Sequence, residues 1–186
     1  MGAKTPGIMY IHETPGIEFD GSTVLVGHDG WADSRSGDFW NSQIALNDFF
    51  LIKDFDLESG KSIYTPEMKS KLEKMGDLSA QYADHVLPGL LKKYRRVIFL
   101  THAPPFREAS LHNGKICEDS SAPFFVNDVL GVTLKKLMGK HPENELLVLC
   151  GHTHCASTYR PLPNLTVLTA GATYGAPRAQ RPLILD

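Results

Sequence analysis

The stretch "ELLVLCGHTHC" (145–155) joins a compact apolar run to a turn carrying His152 and His154. Its first six residues suit a buried strand, being short, apolar and followed by a glycine. Such a strand has no reason to end in clustered imidazoles unless they bind something. The arrangement occurs once before, where "RRVIFL" (95–100) runs into "THAPPF" (101–106) and presents His102. Between the two, a polar loop (107–123) gives way to a helix expected from an Asn127 cap to Lys140, stopped by His141-Pro142.

Working outward, "STVLVG" (22–27) and "NLTVLTAG" (164–171) supply two further strands. A helix is expected from Thr65-Pro66-Glu67, which offers a cap, a proline for the first helical position and an acid for the dipole. Its apolar stripe is Met68, Leu72, Met75, Tyr82, Val86, Leu90 and Tyr94, with a break or kink predicted at Gly76-Asp77 or Pro88. The first sixteen residues, with Pro6, Gly7, Pro15 and Gly16, suit loop or short edge strands. Strands alternating with helices predict an α/β domain with a partly parallel sheet, residues 1–186 forming a single domain.

Composition narrows the function. A net charge of −2 without a basic stripe argues against nucleic acid, and the cluster Lys92, Lys93, Arg95 and Arg96 suits a solvated helix end. No apolar run approaches a membrane span, and "MGAKTPGIMY" lacks the apolar core of a signal peptide. Three cysteines, Cys117, Cys150 and Cys155, suit a reducing compartment, hence a cytoplasmic location. No phosphate-binding glycine loop or nucleophile elbow occurs.

In open α/β sheets ligands sit beyond the carboxyl ends of the strands, so His102, His152 and His154 are expected to converge. Neutral imidazoles favour a transition ion such as Zn, Mn, Fe or Ni. Gly151 is expected to let the backbone turn sharply beside the ligand, and Pro104-Pro105 to stiffen the loop behind His102. A competing arrangement is a zinc knot of Cys150, His152, His154 and Cys155; against it, Cys150 lies inside the strand and Cys155 lacks a partner at ribbon spacing.

"GHTH" after one strand and "TH-x-PP" after another resemble the last two motifs of the calcineurin-like metallophosphoesterases. "GHDGWADSR" (27–35) and "AGATYGAP" (170–177) are similar to a bacterial branch of that family, extending the resemblance over about residues 22–178. The resemblance implies a four-layer sandwich of two mixed β-sheets flanked by helices, and hydrolysis of a phosphate mono- or diester on two metal ions. His102 and His152 would ligate one ion and His154 the other, with a water activated between them.

The family's remaining ligands come from Asp-x-His, Gly-Asp and Gly-Asn-His motifs, which precede these two. No Asp-x-His occurs, and Gly37-Asp38 and Gly27-His28-Asp29 stand in reversed order and too close together to be the others. The chain is therefore expected to be the C-terminal portion of such a domain, with no catalytic residue assigned and sheet edges open to homo-oligomerisation. His28, Asp29, Asp33 and Arg35 are candidates to face a phosphate ester, Arg35 as a bidentate clamp, against the plainer arrangement of a solvated loop with Trp31 on the core. A non-catalytic remnant binding one metal ion or a protein partner is the competing function.

Overall fold

The computed structural model describes residues 9–55, 61–176 and 178–184. In chain order the elements are β1 (Ile17–Glu18), β2 (Thr23–Gly27), α1 (Asp48–Leu51), α2 (Pro66–Lys93), β3 (Arg96–Leu100), β4 (Leu111–His112), β5 (Lys115–Ile116), α3 (Ala122–Phe125), α4 (Asp128–Met138), β6 (Glu145–Cys150), β7 (Ser157–Leu162) and β8 (Leu165–Thr169). Strands β2, β3, β6 and β8 run parallel, and β1 and β7 close the edges antiparallel, in the order β1-β2-β3-β6-β8-β7. Parallel neighbours need crossovers, and α2 and α4 supply them between β2, β3 and β6.

The expected caps are present. Thr65 accepts a hydrogen bond from the Met68 N–H at 3.1 Å, and Asn127 accepts one from the Leu130 N–H at 3.3 Å. Asn127 also donates to Ser79 Oγ at 2.8 Å, tying the start of α4 to the middle of α2. The predicted break in α2 does not occur: residues 66–93 form one helix that runs through Gly76 and Pro88. Leu87 and Leu91, on either side of Pro88, are both in the core, and that packing outweighs the lost helical hydrogen bond. The buried face also differs from the expected stripe. It includes Gly76, Ser79, Ala80 and Ala83, small residues that let neighbouring loops approach closely.

Alternation along the strands sends Val24, Val26, Val97, Phe99, Leu146, Val148, Leu165 and Val167 into one core with α2 and α4. The opposite face carries the half-buried Leu25, Leu147, Leu149 and Leu168 and is bordered in part by Leu183 and Ile184. A second cluster under the loops gathers Trp31, Phe39, Phe49, Phe55, Leu72, Phe124 and Phe125. Among the described residues the second sheet is only the two-stranded ribbon of β4 and β5. Edge strand β7 carries Arg160, Pro161 and a register irregularity between Tyr159 and Leu162, features that blunt an edge against pairing.

Candidate metal centre

The parallel register brings three strand ends level: Gly27 of β2 lies opposite Leu100 of β3, and Leu100 opposite Leu149 of β6. Backbone hydrogen bonds continue past the strands and pin the loops that follow. The His28 N–H donates to Leu100 O (3.0 Å), Thr101 N–H to Leu149 O (3.0 Å), His102 N–H to Asp29 O (2.9 Å) and Gly151 N–H to His102 O (2.9 Å).

Within this frame Asp48, His102 and His152 each offer one ligand atom, and the three atoms lie within 4.8 Å of one another. His152 Nδ1 lies 2.9 Å from His102 Nε2, and His152 Nε2 lies 2.8 Å from Phe124 O. A carbonyl only accepts, so Nε2 of His152 carries the proton and its Nδ1 lone pair faces His102 and Asp48. The ring is held edge-on between Trp31, at 5.2 Å, and Phe125, at 5.5 Å. Burial, and then the neighbouring His102, pushes the His152 pKa down to about 4, and desolvation lowers that of His102 against the opposing pull of Asp48. Both imidazoles are thus neutral at pH 7, the state that ligates metals.

The turn itself departs from expectation. Gly151 has no positive φ, and a Cβ there would meet nothing within 4 Å. The left-handed backbone falls on His152 (φ +67°) and His154 (φ +58°), a conformation that histidine tolerates better than most side chains. His154 stands outside the group formed with Asp48, packing on the Tyr174 ring at 4.5 Å. It is nonetheless near enough to contribute to the lowered pKa values of His102 and His152.

Arg35 is not brought to this point. Its guanidinium donates to Asp77 Oδ1 (2.8 Å), Glu73 O (3.2 Å) and the buried Asp33 (3.4 Å), and it lines a separate cavity with Trp40 and Lys69. Asp33 also accepts from the Val129 N–H at 2.8 Å, so this pair clips the loop to α2 and α4. His28 and Asp29 do border the same cavity as Asp48 and His102. His28 Nδ1 accepts the Gly30 N–H at 3.1 Å, which leaves the proton on Nε2. The zinc knot is not formed: Cys150 faces the helix-covered core, where burial pushes its thiol up to about 12.

Asp48 and the Phe124 carbonyl had no signal in the sequence. Asp48 opens a four-residue helix in "LNDFFLI" (46–52) without a recognisable spacing, and a backbone carbonyl carries no residue identity at all. His12 lies against His28 at 4.2 Å between ring centres.

Two neutral imidazoles and one carboxylate form a donor set suited to Zn, Mn or Fe. The proton fixed by Phe124 O is the outer support that ligating histidines usually have. Beside the cluster, Trp31 Nε1 and Thr101 Oγ1 are buried with no hydrogen-bond partner. It is the donor set of Asp48, His102 and His152 that fits a divalent cation.

No protein-family model matches the chain, and no curated protein matches it. Among solved structures, a dimetal phosphatase from Danio rerio is similar over 84% of this chain and 48% of that one, at 12% identity and a TM-score of 0.45. The chain spans about half the length of that structure.

Proposed function

We propose that the chain is a metal-dependent phosphoesterase domain, its residues 1–186 forming one unit of the calcineurin-like type whose motifs "TH-x-PP" and "GHTH" it resembles. The observation that supports this most is the convergence of Asp48, His102 and His152, with the His152 tautomer set by Phe124 O. These three would hold one ion, and His154 would face the second ion of a dinuclear centre. A divalent ion held by these residues would supply Lewis acidity and would lower the pKa of a water for hydrolysis of a phosphate mono- or diester.

The chain's own groups do the positioning. Trp31 and Phe125 shield His152 from solvent, and Phe124 O holds its proton away from the ligand side. His28, with its proton on Nε2 and next to the same cavity, is placed to donate a hydrogen bond to a phosphoryl oxygen. Asp29 lies beside it, and Arg35 supports the loop that carries both. The free cysteines Cys117, Cys150 and Cys155 suit a reducing compartment, the cytoplasm. No helix among the described residues is long and apolar enough to cross a membrane.

A second reading has an observation of its own. Asp48, His102 and His152 form a group that could hold a metal ion, and His154 lies outside it, a donor set for a single ion. Metal analysis of the purified chain together with nitrophenyl phosphate hydrolysis in added manganese separates the two. Manganese-dependent turnover lost in His102→Ala supports the esterase. One ion per chain without turnover supports the binding protein, and no retained metal overturns both.

A further inference from the structure

The candidate metal centre opens at one end into a cavity of about 890 Å³, within the size range of small-molecule sites. Asp48 and His102 line it. Part of its wall is apolar: Ile52, Met75, Leu78, Leu100, Met9 and Trp31. Leu78 is 48% exposed, Leu100 39% and Met9 63%, so several large apolar side chains turn toward one solvent-open groove. The polar residues Tyr10, His12, His28, Asp29, Asp54 and Thr101 also line the cavity, the His12 and His28 rings lying 4.2 Å apart and tilted by 44°.

We infer that this groove is the subsite for the organic half of the substrate, and that the substrate is a phosphate ester with a bulky apolar or aryl group. The inference rests on the phosphoesterase reading and adds the substrate class to it. A phosphoryl group on an ion held by Asp48 and His102 would leave its organic substituent in the adjoining cavity, where an apolar group gains by displacing water from Ile52, Met75 and Leu78. A polyhydroxylated or charged substituent seated against Ile52, Met75 and Leu78 would lose hydration without finding a hydrogen-bond partner on those three side chains.

Calorimetric titration with 1-naphthyl phosphate and glycerol 2-phosphate, in manganese, tests the inference. The naphthyl ester is expected to bind at least about tenfold more tightly, the scale on which apolar pockets discriminate. Leu78→Glu, at an exposed helical position that tolerates glutamate, should cancel that advantage. Leu78→Met should keep it, as should Leu183→Glu, which places the same charge at another exposed leucine outside the groove.

Equal affinity for the two esters, an advantage that survives Leu78→Glu, or no binding of either ester overturns the inference. So does a concentration-dependent dimer that Leu78→Glu dissociates, since a second copy would then occupy the groove. An advantage that Leu78→Glu removes but that ignores both manganese and His102→Ala keeps the groove as an apolar-ligand site and overturns the phosphoesterase reading. Manganese-dependent hydrolysis of both esters at equal kcat/KM does the reverse.

Discussion

His152 and Phe124 are joined by a hydrogen bond from imidazole Nε2 to the backbone carbonyl, 2.8 Å long, and this bond decides which nitrogen of His152 is free to ligate. Without it the ring could present either nitrogen to His102 and Asp48. The carbonyl belongs to α3, which packs in the aromatic cluster under the loops, so the second core reaches the candidate metal centre directly.

Metal retention should follow this geometry. His102→Ala and His152→Ala are each expected to lower affinity for zinc or manganese by more than the roughly 10–100-fold that a supporting residue is worth. Asp48→Asn keeps the shape but removes the charge, and should weaken binding as well. Metal content by mass spectrometry, with affinity by competition titration, measures this. Unchanged content in all three variants would remove the site.

In the metal-free protein, acid should unfold the chain through its histidines. The folded-state pKa of His152 lies near 4 and that of His28 is also lowered, by burial first and then by His12. The unfolded chain takes up these protons below its ordinary pKa of about 6.5, while the folded chain resists. Stability is therefore full above about pH 6.5 and is lost as pH falls toward 4, where His152 protonates in place. Urea denaturation in chelator across pH 4–8 should show this slope, reduced in His152→Gln; an identical slope in that variant counts against the assignment.

Two glycines of α2 should respond oppositely to the same substitution. A Cβ on Gly76 would stand 2.4 Å from the Cβ of Asp33, whereas one on Gly89 would meet nothing within 4 Å. Gly89→Ala should stabilise by about 0.5–1 kcal/mol, the ordinary helix-propensity gain. Gly76→Ala should destabilise by about 1–3 kcal/mol, because it pushes the 31–35 loop off the helix. Thermal melts of the two variants settle the signs.

Arg35→Leu should behave as a stability mutation. It removes the donor to Asp77, Glu73 O and Asp33 and leaves the buried Asp33 carboxylate with fewer partners. A loss of about 1–3 kcal/mol is expected, with metal affinity nearly unchanged. A variant that melts like the parent but loses affinity for phosphate esters would instead restore Arg35 as a phosphate clamp.

Much of the fold was legible because its signals are local. Four parallel strands and the starts of both long helices carry their reasons within a few residues: β-branched runs in the strands, and Thr65 and Asn127 as caps. Strand β7 was missed because "STYRPL" (157–162) is an edge strand with Arg160 and Pro161, a composition that resembles loop. The continuity of α2 was missed because Gly76 and Pro88 break isolated helices, and only burial on both sides of them holds this one together.

The site divides along the same line. By itself the sequence determined that His102 and His152 end two neighbouring strands, since strand length and crossover order are written in the apolar pattern. Tertiary structure alone decided that Asp48 joins them, that Phe124 O selects the His152 tautomer, and that Arg35 turns to Asp33 and Asp77. Those three depend on where distant segments come to rest against one another. That is set by packing around the aromatic cluster, and no spacing along the chain encodes it.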